Sequence, residues 1–185
     1  MPAPGIDAVI LAGGAGSRAG GIDKGWAIHG GRPLVALALE RLRIDADTVW
    51  ISANRQLARY AALGAPVLAE GAPGAGGPLA GIARALSASR ADWVLSVPVD
   101  APDYPADLAP RLLDAARGHG NACVAADSVR EQPLFALYPR SLAPRVAAAV
   151  LAGELAVWRF LRAVDARPVR FEGAGFSNLN QAGLG

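Results

Sequence analysis

The stretch AVILAGGAGSRAGGIDKGW, Ala8–Trp26, decides the fold of this chain. It begins inside a short continuous apolar run, Ile6–Ala12, as expected of a strand buried on both faces. A glycine-rich loop follows and carries Arg18, Asp23 and Lys24. Glycines after a buried strand let backbone amides come close to phosphate oxygens. The loop is not a P-loop: that motif ends Gly-Lys-Ser/Thr, and here Lys24 stands between Asp23 and Gly25. Gly14–Ala19 fits the G-x-G-x-x-G/A pattern of dinucleotide-binding turns on paper. Gly20-Gly21 would break the helix that such a turn must open. The acid that the pattern requires would fall near Glu40, inside a predicted helix and away from a strand end.

What remains is a polyphosphate loop with two cations. Amides of Gly13–Ser17 are expected to line a triphosphate, and Arg18 and Lys24 to neutralise its oxygens. That charge arrangement suits phosphoryl or nucleotidyl transfer, where negative charge develops on a pyrophosphate leaving group. Lys24 stands out for a second reason. It is the only lysine among 18 basic residues. A compact ammonium does what a planar guanidinium cannot, so a lysine kept in so arginine-rich a chain points to a specific task.

The rest of the chain alternates strand and helix patterns. Predicted strands at Thr48–Ala53, Ala65–Glu70, Asp92–Pro102, Asn121–Asp127 and Arg167–Gly173 are interleaved with helices over Pro33–Arg43, Arg55–Leu63, Leu79–Ser89 and Pro105–Gly118. Gln132–Pro139 reads as a strand directly after a strand, so an antiparallel pair is expected there. Two further helices precede the last strand. This rhythm predicts an α/β fold, a three-layer α/β/α sandwich with a Rossmann-like, mostly parallel sheet and a small antiparallel part. Ligands of such sheets bind beyond the C-terminal strand ends. Gly13–Lys24, Asn54, Glu70–Gly81 and Asp100 all follow predicted strands, so they should converge on one sheet edge. Asp100 there is a natural Mg²⁺ ligand, because Mg²⁺ takes one or two carboxylates plus phosphate oxygens and water. Asn54 can read a base or ribose edge or cap the following helix.

Composition bounds the function. With 185 residues, a single domain over 1–185 is expected. The formal net charge is +2 and the arginines are scattered without interleaved aromatics, which argues against a nucleic-acid partner. Cys123 is the single cysteine and reads as a small core residue. The N-terminus lacks the pattern of a secretory signal. No apolar run reaches the roughly 20 residues of a membrane span, so a cytoplasmic protein without membrane contact is expected. His29 reads as a turn residue and His119 as a helix-end residue. Neither has a partner for acid–base chemistry.

The segment LAGGAGSRAGGIDKG, Leu11–Gly25, resembles the LAGGxSxRMGGxDK signature of the molybdenum cofactor guanylyltransferase family. GPLAGI (Gly77–Ile82), VPVDAPDYP (Val97–Pro105), QPLFALYPRSL (Gln132–Leu142) and NLN (Asn178–Asn180) resemble family segments in the same order. The resemblance implies a fold of the nucleotide-diphospho-sugar transferase type. It implies transfer of GMP from GTP to molybdopterin with Mg²⁺ and release of pyrophosphate. It implies nucleotide contacts from Leu11, Ala12, Gly13, Lys24, Asn54, Glu70 and Asp100, with Asp100 on the metal and Arg18, Lys24 and Asp100 serving catalysis. Asn178 and Asn180 would bind the pterin, or Asn180 would complete the metal site, and transient contacts with cofactor-delivery and molybdoenzyme-maturation proteins are implied. The chain departs from the pattern at Glu70, where the family has aspartate, at Leu155/Ala156, where it often has an arginine associated with the pterin, and after Asn180. Arg159 or Arg162 could take over that arginine's place, and Trp158 and Phe160 read as core or pocket wall. Related chemistry with CTP or a sugar-phosphate acceptor is the alternative; a non-catalytic nucleotide-binding protein is a more distant one.

Overall fold

In a computed structural model of the chain, residues 5–13, 23–69, 76–173 and 175–176 are described. Ile6–Leu11 forms β1, buried along its whole length. Its side chains alternate between two cores, as a strand's must. Ile6, Ala8 and Ile10 join one core with helices α1 (Leu34–Leu42) and α4 (Leu108–His119). Val9 and Leu11 join the other with α3 (Pro78–Ala88), α5 (Ala143–Leu151) and α6 (Val157–Ala163). Two helical layers thus enclose one sheet, the sandwich that the alternation predicts.

Among the described residues the sheet has seven strands in the order β5-β4-β1-β6-β8-β7-β9. They are β4 (Val49–Ala53), β5 (Val67–Ala69), β6 (Trp93–Pro98), β7 (Cys123–Ala126), β8 (Glu131–Pro139) and β9 (Arg167–Arg170), with β1 between β4 and β6. All neighbours are parallel except around β8, which runs antiparallel to both β6 and β7. The expected antiparallel hairpin is therefore present, and its second strand is also the seam between the two halves of the sheet. Leu11 pairs with Ser52 on one side and Pro98 on the other. The C-terminal ends of β4, β1 and β6 therefore stand side by side.

Several elements differ from expectation. A small ribbon of β2 (Ile28–His29) and β3 (Arg32–Pro33) precedes α1. Gly30 and Gly31 make its turn at φ +57° and +79°, which two-residue hairpins of this type require. His29 accordingly stands in a strand, and Pro33 is the N-cap of α1. α2 is short, Leu57–Ala61, with Gln56 as its N-cap at φ 50°. Asn54 therefore does not cap it. α4 starts at Leu108 with Asp107 as N-cap. Cys123 is buried, and burial pushes its thiol up to about 11, in keeping with a core residue. Among the described residues no helix is long and apolar enough to cross a membrane.

Gly81 fixes how closely α3 lies on the sheet. A Cβ there would come within 2.4 Å of Ser52 Oγ and 3.2 Å of Leu11 Cδ2. The glycine brings the helix against β4 and β1. Gly77, at the N-cap of α3, has ordinary room for a Cβ beside Leu155. The substitution Gly81→Ala is expected to cost about 1–3 kcal/mol, measured by urea unfolding. Gly77→Ala should change stability far less, and equal costs would contradict this packing account.

Candidate functional site

Lys24 opens one turn of 3₁₀ helix, Lys24–Trp26. Asp23 caps that turn, its Oδ1 accepting from the Gly25 N–H at 3.2 Å. The same oxygen accepts from the Tyr60 hydroxyl at 2.6 Å, and Oδ2 accepts from Gln56 Nε2 at 3.4 Å. Burial and the neighbouring carboxylate hold the Tyr60 hydroxyl protonated far above its ordinary range, so it remains a donor. Gly25 lies directly beneath it: a Cβ at that position would stand 2.2 Å from the hydroxyl oxygen. Trp26 packs on the Tyr60 ring at 5.0 Å, and the Arg59 guanidinium sits 3.8 Å over Trp26. The turn that carries Lys24 is therefore latched to α2 by one carboxylate, one phenol and one stacked pair.

Asp100 stands two residues beyond β6, between buried Val99 and Ala101. Val99 N–H donates to Leu11 O at 3.2 Å, which extends the β1–β6 alignment to the threshold of the site. The next residues are clamped from α1. Arg41 donates to Pro102 O and Tyr104 O, both at 2.5 Å, and its guanidinium lies 3.9 Å over the Tyr104 ring. Tyr104 in turn packs on Phe135 of β8 at 5.5 Å. Asp100 is thus held on both sides by backbone that has little freedom to move.

The two anchored segments meet. Lys24 Nζ lies 3.0 Å from Asp100 Oδ2, across 76 residues of sequence. The lysine side chain is 44% exposed and the aspartate 14%. Lysine and carboxylate therefore meet at the sheet's C-terminal edge, where the alternation of elements predicts ligand binding.

Other expected site residues fall as follows. Asn54 directly follows β4, on the same edge. The Leu11 side chain is in the core and its carbonyl is engaged by Val99, so only its backbone borders the site. Ala12 and Gly13 N–H groups both donate to Ser52 O, at 2.9 and 3.1 Å. The Gly13 amide, expected among the phosphate-lining amides, donates to that carbonyl here. Arg18, Glu70, Asn178 and Asn180 lie outside the described residues. Tyr60, Gln56 and Arg41 have no motif signal of their own. The one hint was Gly25, a glycine beside the key lysine that required a reason.

Comparison with known proteins fits this geometry. The pattern of the MobA-like NTP transferase domain matches residues 8–169. A molybdenum cofactor guanylyltransferase of Serratia proteamaculans is 41% identical over 177 residues, covering 95% of this chain and 89% of that protein. The crystal structure of molybdopterin-guanine dinucleotide biosynthesis protein A from Archaeoglobus fulgidus superposes with a TM-score of 0.71 at 21% identity, covering 90% of this chain and 83% of that one. That of 2-C-methyl-D-erythritol 4-phosphate cytidylyltransferase from Thermus thermophilus superposes at 0.65 and 24%, covering 91% and 89%. These two show the shared fold. On the match over residues 8–169 and the close relationship to the Serratia protein, the chain belongs to the MobA-like NTP transferase family.

Proposed function

We propose that this protein transfers GMP from GTP to molybdopterin, forming the guanine dinucleotide form of the cofactor and pyrophosphate. The observation that carries the reading is the meeting of Lys24 and Asp100 at 3.0 Å on the nucleotide edge of the sheet, in a chain whose curated relatives bear this activity in their names. The cytidylyl relative shares the fold, so architecture alone does not choose the base. The choice of GTP rests on the guanylyltransferase relatives.

The reaction is an in-line attack of the acceptor's terminal phosphate oxygen on the α-phosphorus of GTP. The bond to the β-phosphate bridging oxygen breaks, and pyrophosphate leaves with that electron pair. The nucleophile is already an anion, so the chain needs no general base, and neither histidine is called upon. Catalysis is then positioning and charge neutralisation. Lys24, held by the Asp23–Tyr60 latch, delivers its ammonium to the triphosphate oxygens. Asn54 takes the nucleoside side of the site, at the end of β4.

The donor set suits Mg²⁺. Asp100 offers hard carboxylate oxygens at the rim of the site, and the described residues contain no cluster of three or more metal-ligating side chains. One carboxylate with phosphate oxygens and waters is a common Mg²⁺ environment. Asp100 would hold the ion, which when bound supplies further neutralisation of the triphosphate. Lys24 Nζ stands against Asp100 as the counter-cation. The lysine must leave the aspartate for the phosphates when nucleotide and metal arrive together.

Lys24→Met tests both halves of this account. Pyrophosphate release from GTP and molybdopterin is expected to fall by about 100-fold or more. Unfolding stability should change by no more than about 1 kcal/mol, because the lysine end of the pair is exposed. In the absence of nucleotide, the variant should bind Mn²⁺ more tightly by calorimetry, since the competing ammonium is gone. Transfer at the wild-type rate would remove Lys24 from the mechanism. Unchanged Mn²⁺ affinity would show that lysine and metal do not share Asp100.

A further inference from the structure

The segment that carries Asp100 leaves the sheet with no ladder to hold it. β6 ends at Pro98, and α4 begins only at Leu108. Between them, Pro102 and Pro105 have no N–H to donate. Ala101, Pro102 and Tyr104 are nonetheless buried, so carbonyls there need donors from within the protein. Among the described residues no backbone N–H reaches the carbonyl of Pro102 or of Tyr104.

Arg41 supplies both donors. Its Nη1 donates to Pro102 O and its Nη2 to Tyr104 O, each at 2.5 Å. The same guanidinium lies 3.9 Å over the Tyr104 ring. The Tyr104 hydroxyl is buried without a hydrogen-bond partner among the described residues. Packing, by Arg41 and by Phe135 at 5.5 Å, therefore fixes that ring in place of a polar anchor. No carboxylate forms an ion pair with Arg41 among the described residues. Asp45, one turn further along α1, feels its charge from outside that range. The guanidinium is thus directed at two carbonyls and a ring, a geometry that a planar fork fits and an ammonium does not.

The clamp acts from a rigid base. α1 buries Leu34, Val35, Ala38, Leu39 and Leu42 in one core, and Arg41 stands in its last turn. Asp100 lies two residues before Pro102, and Val99 on its other side is tied to β1 through Leu11 O. Backbone freedom is therefore removed just before and just after the carboxylate. A ligand group that needs no ordering on binding holds its ion more tightly. Arg41 lies outside every motif of the sequence, so only the folded chain reveals this link.

We propose that Arg41 is a positioning residue for the metal site. Its guanidinium holds Pro102 and Tyr104 so that the Asp100 carboxylate is set for Mg²⁺ before the nucleotide arrives. It acts through the backbone and not on the nucleotide. The inference rests on Asp100 being the Mg²⁺ ligand, as in the proposed function, and adds a residue that reading does not contain.

The test is calorimetric titration with GTP, in Mg²⁺ and again in EDTA, with no acceptor present. The quantity read is the factor by which Mg²⁺ tightens GTP binding. Asp100→Asn is expected to abolish it. Arg41→Ala is expected to lose most of it, about tenfold, with GTP affinity in EDTA unchanged. A merely structural defect would weaken GTP binding equally in both buffers. Arg41→Lys keeps the charge but neither fork nor stack, and should fall between Arg41→Ala and wild type. Arg43 also bonds carbonyls, Leu63 O at 3.5 Å and Gly64 O at 3.1 Å, away from Asp100. Arg43→Ala should therefore keep the full Mg²⁺ factor.

A folded Arg41→Ala protein with the wild-type factor overturns the positioning role. Where Asp100→Asn still lacks the factor, the metal assignment stands. If Arg41→Ala does not fold, the wild-type factor in Arg41→Lys overturns the role in its place. A wild-type protein whose GTP affinity ignores Mg²⁺, or Asp100→Asn with the factor intact, removes the metal assignment and the positioning role together.

Discussion

An ammonium and a carboxylate 76 residues apart meet at 3.0 Å, and the site depends on that meeting. Taken as an ion pair it contributes little to stability, because both groups reach solvent. Its significance is positional. Two long side-chain and loop trajectories must end at one point, and each is fixed by contacts farther back. The Lys24 turn is held by Asp23, Tyr60 and the Trp26–Arg59 stack. The Asp100 segment is held by Arg41 through two carbonyls and the Tyr104 ring. Pre-positioning of charged groups is what a charge-neutralising mechanism requires.

The sheet provides the common reference for both anchors. β1 is central, paired in parallel with β4 and β6 at matched ends, so loops leaving all three open on one edge. The antiparallel β8 inserts between β6 and β7 and carries the edge onward into the second half. Phe135 of β8 continues the contact from Tyr104 to Phe176, which packs in turn on Phe171. A chain of aromatic rings thus joins the loop after Asp100 to the last described segment. The sheet is therefore continuous from the Lys24–Asp100 end to the second half of the edge.

Much of this was legible in the sequence, and the reasons are local. The apolar run of β1, the glycine loop and the strand-then-carboxylate pattern at Asp100 each follow from chemistry within a few residues. The alternation of elements then places their ends together. The contacts that anchor the site are not local. Tyr60 reads as an ordinary apolar position of an amphipathic helix, and nothing near it in sequence says that its hydroxyl meets Asp23. Arg41 reads as a surface arginine at the end of α1, though it satisfies carbonyls more than 60 residues away. Nothing near Gly81 in sequence says that the space it leaves is filled by Ser52 of β4 and Leu11 of β1. Asn54 shows how a local rule can mislead: its residue type suits a helix cap, but the helix begins at Leu57 behind a left-handed Gln56.

The central claim is that Lys24 and Asp100 are two ends of one nucleotide site that part when the substrate arrives. A crystal structure of the protein with GTP and Mg²⁺ tests it most directly. The account predicts Asp100 on the metal, Lys24 Nζ on a phosphate oxygen, and the 3.0 Å contact between them opened. A bound nucleotide elsewhere on the surface, with the lysine–aspartate pair still closed, would contradict it.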